Sequence, residues 1–496
     1  MHSGSFRRSL SIATLILSAL AAGCRREEPP PPVHRGPIVL ITIDALRADA
    51  VGALGGPPRV MPALSGLARE ATWAGRAVSP SSWTVPSMAA IFTGFQPWRA
   101  RSWAGDRAVL DERFVTLPES LKAAGYRTAA FRTNHWLQAE YGYNQGFDEF
   151  RYLREGKRAE GYLAELQGGS DFVWIHILPP HAPYVRRDPL LDRLDDVPPD
   201  LPKQVKPLEL EPYFDPAVEL PPETKRVFRA MYDLNAAWAD QVLGRMLDAL
   251  KRSGQWEETL LVVTSDHGEE FGEHGQIAHG GNLGHALVEV PLVVKLPAGF
   301  QRKLALEPGH RVSNVRVGPT LIEAAGGKPP EGAAASFFQP FDKGALSELY
   351  LGNGVNRFSL VDGDLQLLWE SRFAAPEKDY FRARYEGLGG SPEPALTEPA
   401  QAIFDRLEKS FARILPLTGQ HGDPPQLSLW RWGPDGRQRQ VNDPREVQRM
   451  ARQLKNAWLA ANGSEVAPGR SVGKQPELTP QQIEELRALG YVAGGG

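Results

Sequence analysis

The sequence is nearly devoid of cysteine: Cys24 is the only one in 496 residues. Exported proteins often carry disulfide bonds, but a chain with one cysteine can form none internally. The fold therefore depends on a hydrophobic core, and the 42% of hydrophobic residues is typical of a globular protein. A chain of this length predicts two to four domains.

An excess of charge of one sign is also lacking. The formal net charge is −3 and the isoelectric point is about 6.4. A balanced charge does not favour nucleic acid or an acidic membrane surface as the main partner, and we predict no nucleic-acid partner. The clearest uncharged run, residues 10–23, is shorter than the roughly 20 apolar residues that span a membrane.

That short run has the pattern of an export signal, because Arg7 and Arg8 precede it and Cys24 follows it. Residues 20–24, Leu-Ala-Ala-Gly-Cys, resemble a bacterial lipobox, although Ala21 stands where that motif usually has leucine. Simple secretion after cleavage at Ala-Ala-Gly is the alternative.

We therefore expect a signal peptide over residues 1–23 and a lipid on Cys24, which also explains why this cysteine is alone. Residues 24–36, with proline from Pro29 to Pro32, predict a semi-rigid tether. Arg25 after the cysteine is compatible with sorting to the outer membrane. We expect an exported protein at the cell envelope, facing the periplasm or the surface and touching the membrane through its lipid only.

From residue 37 onward, short apolar runs alternate with helical patterns. The run Ile38–Ile43 is typical of a parallel strand buried on both faces, and it ends at Asp44. Similar runs predict strands at 128–131, 172–177, 260–264 and 290–296. The alternation predicts an α/β fold, a doubly wound and mostly parallel sheet flanked by helices, with catalytic groups at the carboxyl ends of the strands.

Two helices are predicted by specific signals. Residues 116–119, Thr-Leu-Pro-Glu, form a capping box, and residues 222–253 carry an apolar stripe that we assign to core packing. Residues 185–221 predict an irregular insertion that could border the active site. We place the catalytic domain at 37–345.

Residues 346–496 predict a smaller α+β subdomain. A hairpin is expected at 358–369 with its turn at Asp362-Gly363, followed by a strand at 426–432. Helices are expected from about residue 443 to 461 and from 479 to 489.

Three segments combine residues suited to ester chemistry. Asp44 follows one predicted strand, Asp266 and His267 follow another, and the hydroxyl of Thr84 stands near the start of a helix. A carboxylate from one strand end and an Asp-His pair from another can bind a divalent cation. The cation and the helix N-terminus would both favour an alkoxide and an anionic sulfate or phosphate group.

These segments resemble the sulfatase family of the alkaline phosphatase superfamily. The similar stretches occur in the family's order and span most of residues 37–496; they are 41–49, 83–94, 125–130, 180–184, 264–275, 290–292 and 489–491. The resemblance implies one divalent metal ion, Ca, Mg, Mn or Zn, bound by Asp44, Asp266 and His267. It implies that Thr84 is both the nucleophile and a metal ligand.

The resemblance also implies roles for three histidines. His135 would assist the nucleophile, His181 would contact the substrate anion or the leaving group, and His279 would face the ester. Three other histidines, His176, His274 and His285, we assign to packing or to the surface, and Arg47 and Asp49 to a structural pair.

The chain departs from the family at several positions. Most sulfatases make a formylglycine from cysteine or serine where this chain has Thr84, whose oxidation would yield a ketone. Met88, Thr133 and Glu289 stand where the family carries Arg, Lys and Arg, and each lost cation removes stabilisation of an anion. A threonine alkoxide, as in related phosphodiesterases and phosphoethanolamine transferases, favours phosphate esters over sulfate.

Three functions remain open. The first is a metal-dependent hydrolase of a sulfate or phosphate ester on a small molecule, glycan or lipid. The second is a transferase of a phospho-substituent, although such enzymes typically have transmembrane helices ahead of the catalytic domain. The third is a binding lipoprotein that has lost catalysis, which the missing cations favour and the complete set of metal ligands opposes.

Overall fold

The computed structural model describes residues 32–100, 102, 109–153, 157–210, 213, 218–307, 309–340, 344–351, 355–372, 427–433 and 438–462. The predicted signal peptide, the lipid attachment at Cys24 and the predicted helix at 479–489 lie outside these residues and stay predictions. None of the helices in the described part of the chain has both the length and the apolar character needed to cross a membrane.

The strands of the described residues belong to one large sheet, one smaller sheet and two short ribbons. In chain order they are β1 (Ile38–Ile43), β2 (Trp73–Val78), β3 (Arg127–Arg132), β4 (Glu149–Tyr152), β5 (Asp171–Ile177), β6 (Tyr184–Val185), β7 (Gln204–Val205), β8 (Leu260–Ser265), β9 (Glu270–Phe271), β10 (Ile277–Ala278), β11 (Glu289–Lys295), β12 (Val312–Ser313), β13 (Ala345–Leu351), β14 (Val355–Asp362), β15 (Leu365–Arg372), β16 (Leu427–Trp432) and β17 (Gln438–Gln440).

The large sheet has the order β12-β2-β11-β8-β1-β5-β3-β4 among the described residues. β1 lies inside it with β5 and β8 parallel on either side, and only β11 runs antiparallel to its neighbours. The predicted α/β fold with a mostly parallel sheet is therefore confirmed. Because parallel strands end at the same edge, the residues that follow β1, β5 and β8 lie next to one another.

Each of the five predicted strands is present, with ends within one residue of the prediction. The sequence patterns missed β2, which is only half-buried over most of its length, and the short strands β4 and β12 at the two edges of the sheet. Such strands lack the continuous apolar run that marks a strand covered on both faces.

The α-helices of the described residues are α1 (Pro62–Glu70), α2 (Thr84–Thr93), α3 (Pro97–Ala100), α4 (Leu117–Ala123), α5 (Lys157–Ala164), α6 (Pro207–Leu210), α7 (Pro222–Arg252), α8 (His285–Val288), α9 (Val317–Ala324) and α10 (Pro444–Asn462). Short 3-10 turns occur at Ala48–Ala50, Gly52–Leu54, Ala139–Tyr141, Asp188–Arg193 and Asn314–Arg316. The capping box before α4 is present as predicted.

Two hydrophobic cores cover the two faces of the large sheet. Val39 and Ile41 of β1 join one core with the apolar stripe of α7, whereas Ile38 and Leu40 join the other with α2 and α9. Alternate residues of one strand therefore face opposite layers, as in a doubly wound sheet. The stripe of α7 is core packing, as the sequence predicted.

The predicted insertion at 185–221 contains the 3-10 turn Asp188–Arg193, the short helix α6 and most of the ribbon of β6 and β7, and it lies against α7. The described part of the C-terminal region contains an antiparallel sheet of the order β13-β14-β15-β16-β17, with α10 packed on one face. The predicted hairpin is present, but Asp362 pairs with Leu365. Its turn is therefore Gly363-Asp364, one residue later than predicted, and Gly363 has the positive φ that favours glycine.

Candidate metal and ester site

The carboxylates of Asp44 and Asp266 lie side by side at one edge of the large sheet. β1 and β8 are parallel neighbours in which Ile43 pairs with Ser265, so the next residue of each strand is an aspartate. Both side chains are fully buried. Strand pairing therefore brings together two acids that are more than two hundred residues apart in sequence.

His267 points its Nε2 atom at both carboxylates. Nε2 lies 3.4 Å from Asp44 Oδ1 and 3.6 Å from Asp266 Oδ2. The Thr84 hydroxyl oxygen lies 3.2 Å from the same nitrogen. On the other side of the ring, Nδ1 is 2.7 Å from the Gly268 carbonyl, which can only accept, so Nδ1 carries a proton and Nε2 is the atom left to face a cation.

One oxygen of each aspartate is held by protein donors. Asn134 donates to Asp44 Oδ2 at 2.6 Å, and the backbone N–H of His267 donates to Asp266 Oδ1 at 3.0 Å. The other oxygens, Asp44 Oδ1 and Asp266 Oδ2, are buried and accept no hydrogen bond from the described residues. Burying a carboxylate oxygen without a hydrogen-bond donor costs free energy, and a bound cation would offset that cost. The residues therefore fit a divalent metal ion.

His176 offers a second way to complete a ligand set, since its ring, Asp44 and Asp266 place ligand atoms within 4.8 Å of one another. Both of its ring nitrogens are already engaged, however: Nδ1 lies 2.7 Å from Thr42 Oγ1 and Nε2 lies 3.1 Å from Asp44 Oδ2. His176 therefore orients the Asp44 carboxylate, as a residue behind a metal ligand does. The sequence analysis assigned His176 to packing or to the surface. Its place near the end of β5 could have indicated a position beside the strand-end acids.

The histidines and acids of the site shift one another's pKa values. Burial would raise the pKa of Asp44, but the charges of His181, His176 and His267 hold it well below its usual range. Burial and the neighbouring Asp44 raise the pKa of Asp266. Two facing carboxylates that cannot easily be ionised together are the arrangement that a divalent cation relieves.

Thr84 is the first residue of α2, and its side chain is fully buried. The preceding residue, Trp83, is extended and makes no side-chain cap to the first N–H groups of α2. The helix N-terminus favours negative charge at this place. The sequence analysis expected this hydroxyl near the start of a helix.

His181 and His279 lie in the same site as His267. The ring centre of His279 is 4.4 Å from that of His267 and 4.8 Å from that of His181. His181 directs Nδ1 to the Ala182 carbonyl at 2.6 Å. The structure therefore brings together the five predicted residues Asp44, Asp266, His267, His181 and His279, with Thr84 beside them.

Sequence reasoning missed Glu269 and Tyr184. The fully buried Glu269 carboxylate lies 2.9 Å from His279 Nδ1 and accepts a hydrogen bond from the Tyr184 hydroxyl at 2.9 Å. Burial raises the pKa of Glu269, whereas the charges of His181 and His267 oppose that rise. Only the proximity of Glu269 to the Asp-His pair in sequence could have drawn attention to it.

His135, the remaining predicted site histidine, contacts a tyrosine of the sheet edge. Its Nε2 lies 2.7 Å from the hydroxyl of Tyr152, on the edge strand β4, and the two rings pack at 4.7 Å. The preceding residue, Asn134, is the one that donates to Asp44. The role of His135 beside the nucleophile stays a prediction.

The positions without the family's cations have local explanations. Met88 is buried in the core under α2, and Thr133 donates to the His176 carbonyl at 2.8 Å. Glu289 pairs with Arg76 at 2.9 Å and with Arg311 at 2.7 Å. Arg47 and Asp49 form the expected structural pair at 2.6 Å.

Comparison with known proteins gives consistent results. The sequence model of the sulfatase family matches residues 37–159 and 156–327. PehA from Trinickia caryophylli, a multifunctional alkaline phosphatase superfamily protein, is 30% identical over 37% of this chain and 40% of its own length. The low-salt glycan biosynthesis sulfotransferase Agl7 from Haloferax volcanii is 27% identical over 51% of this chain and 54% of its own length.

This chain thus spans less than two thirds of the length of either relative. Among solved structures, the phosphonate monoester hydrolase from Silicibacter pomeroyi has the same fold, with a TM-score of 0.53 and 19% identity over 83% of this chain and 99% of that one. The predicted family is confirmed, and the chain belongs to the sulfatase family.

Proposed function

We propose that the chain hydrolyses a sulfate or phosphate ester with the help of one divalent metal ion, and that Thr84 is the nucleophile. The observation that carries this proposal is the distance of 3.2 Å between the Thr84 hydroxyl and His267 Nε2. Beside them, Asp44 Oδ1 and Asp266 Oδ2 accept no hydrogen bond from the described residues. Asp44, Asp266 and His267 would hold the metal, with Thr84 as a further ligand. When bound, the cation lowers the cost of ionising a hydroxyl.

Thr84 and the two histidines have different roles in the proposed reaction. Thr84 first loses its hydroxyl proton to solvent. Its Oγ1 then attacks the sulfur or phosphorus centre, the bond to the alcohol breaks, and a threonyl ester forms as the leaving oxygen takes up a proton from a histidine. Water then cleaves the threonyl ester: its hydroxide joins the sulfur or phosphorus, its other proton returns to the histidine, and sulfate or phosphate leaves with Thr84 again ionised. His181 and His279 lie close enough to the cluster to supply and recover that proton.

Phosphate esters are the substrates we favour. A threonine cannot be converted to the aldehyde hydrate that attacks sulfate in most of the family. The name of PehA describes a multifunctional protein of the superfamily, which suits a site that accepts more than one ester. We further propose that the substrate is a small molecule or a glycan or lipid ester at the cell envelope, reached by a chain anchored through Cys24.

The test is turnover of nitrophenyl phosphate, nitrophenyl sulfate and bis-nitrophenyl phosphate with Mn, Zn, Ca or Mg, by wild type, Thr84→Ala and Thr84→Ser. Loss of the Thr84 hydroxyl should lower kcat by about 10³-fold or more, and serine should restore part of it. Thr93→Ala, at the other end of α2, is the control. Equal activity of Thr84→Ala and wild type would eliminate Thr84 as the nucleophile.

A transferase is the second candidate, since Agl7 is named a sulfotransferase. It would pass the threonyl-bound group to an acceptor hydroxyl in place of water. Release of inorganic phosphate or sulfate in step with nitrophenol supports hydrolysis, whereas a large excess of nitrophenol in the presence of added glycan or alcohol supports transfer.

A further inference from the structure

Glu269 belongs to the site but none of the roles above uses it. Its side chain is fully buried, and its two oxygens have different partners. Oε2 accepts from the Tyr184 hydroxyl, and Oε1 lies against His279 Nδ1, each at 2.9 Å. Tyr184 is itself fully buried, so the carboxylate is fixed from both sides.

The contact with Glu269 determines which atom His279 presents to a substrate. A carboxylate accepts the Nδ1 proton, so the ring directs Nε2 away from Glu269. The ring also stands 4.4 Å from His267 and 4.8 Å from His181, on the side of the carboxylate cluster. Arg47, which donates to the Glu269 carbonyl at 2.8 Å, holds the backbone of this segment in place.

We propose that Glu269 is a positioning residue that orients His279 as the proton donor to the leaving group, with Tyr184 supporting Glu269. The inference rests on the proposed function and deepens it. As the bond between the leaving oxygen and phosphorus or sulfur breaks, His279 Nε2 gives its proton to that oxygen. The ring is left neutral with Nδ1–H bonded to Glu269, and it regains the Nε2 proton from the water that cleaves the threonyl ester.

The same three-part arrangement, an acid that orients a histidine that moves the proton, serves nucleophilic enzymes of unrelated folds. If Glu269 acts in this way, the loss of rate on its removal should depend on the leaving group of the ester. Nitrophenolate departs readily without a proton, whereas phenolate gains much more from one. Loss of Glu269 should therefore affect phenyl esters far more than nitrophenyl esters.

The experiment compares kcat and KM for phenyl and nitrophenyl phosphate in Glu269→Ala, Glu269→Gln, His279→Ala and the double variant Glu269→Ala/His279→Ala. We expect Glu269→Ala to lower kcat about 10²-fold on the phenyl ester and less than about 10-fold on the nitrophenyl ester, with KM little changed. Glu269→Gln keeps an acceptor for Nδ1–H and should recover part of the loss. The double variant should be no slower than His279→Ala alone.

Controls separate this role from a structural one. Glu165→Ala removes an exposed glutamate and should leave both rates unchanged. Metal content and thermal unfolding of each variant check that the site has formed. Equal losses on the two esters, or losses that add in the double variant, would overturn the role of Glu269 while leaving the proposed hydrolase intact. If wild type cleaves neither ester, the proposed function and this inference fail together.

Discussion

At the scale of single residues, the proposed metal ligands are held by the backbone as much as by side chains. Gly268, directly after His267, donates its N–H to the Leu287 carbonyl at 2.7 Å. A Cβ atom on Gly268 would lie 2.0 Å from the Ala286 carbonyl oxygen. The Asp-His pair can therefore be followed only by glycine without displacing α8 and the loop that carries His267.

Gly268→Ala should accordingly lower the free energy of unfolding by about 3 kcal/mol, because the clash is with backbone that cannot rotate away. Gly161 provides a matched control, since it is exposed in α5 and a Cβ there meets nothing within 4 Å. Gly161→Ala should raise the free energy of unfolding by up to about 1 kcal/mol, because alanine favours a helix. Urea unfolding with a chelator present measures both. Similar stabilities of the two variants would contradict the clash.

At the scale of secondary-structure elements, helices are joined by polar contacts at their ends. The N-terminus of α1 is capped by a residue of another helix: Asp240 of α7 accepts from the N–H groups of Ala63 and Leu64, at 2.9 and 2.8 Å. Asp240 is 2% exposed, so water cannot easily replace it. This cap holds α1 on α7, across the core that covers one face of the sheet.

Asp240→Ala should therefore lower the free energy of unfolding by about 2 kcal/mol, since it leaves two helix N–H donors without an acceptor. Asp240→Asn keeps one oxygen acceptor and should cost less. Asp248→Ala, at an exposed position of the same helix, is the control and should change the free energy of unfolding by less than about 0.5 kcal/mol. Chemical unfolding at neutral pH measures the free energy of unfolding of each variant. Equal decreases in Asp240→Ala and Asp248→Ala would show that the cap does not contribute to that free energy.

At the scale of the whole molecule, the large sheet and the C-terminal sheet share a buried interface. Leu287 and Val288 of α8 pack with Val361 and Trp432 of the smaller sheet. Arg357 of β14 donates to the carbonyl of Gly281, two residues after His279. The C-terminal sheet therefore supports the loop that carries His279, although it supplies none of the proposed metal ligands.

His285 lies in this interface, with its ring 5.6 Å from that of His274 and 5.7 Å from that of Trp432. Its Nδ1 is buried and has no hydrogen-bond partner among the described residues. Burial first, and then the charges of Arg47 and His274, lower the pKa of His285 to about 3, whereas Glu273 and Asp49 oppose the shift. The folded chain therefore keeps this ring neutral.

The pH dependence follows from that neutrality. An unfolded histidine binds a proton below about pH 6.5 but folded His285 does not, so the free energy of unfolding should fall as pH drops from 6.5 towards 3, by up to about 1.4 kcal/mol per pH unit. His285→Phe keeps a ring in the interface and removes the proton site, so its stability should fall less steeply. Urea unfolding of both proteins between about pH 4 and pH 7 tests this. Parallel curves would show that His285 contributes no such dependence.

Much of the catalytic half could be predicted from sequence, because strand burial and motif order are local properties. A few consecutive residues are enough to recognise the strand at 38–43, the loop at 264–275 and the helix start at Thr84. The half-buried β2 and the turn of the C-terminal hairpin could not be predicted as well. A half-covered strand has no continuous apolar run, and a turn position depends on the register of the two strands.

The sequence by itself determined which residue types could bind a cation and attack an ester, because those chemical groups follow directly from side-chain identity. The tertiary structure alone decided their partners: His176 and Asn134 behind Asp44, Glu269 behind His279, and Tyr152 beside His135. The two contacts of Asp44 join residues that are 132 and 90 positions apart in the chain. They exist because strand order places particular strand ends and loops side by side, and no local sequence pattern encodes that order.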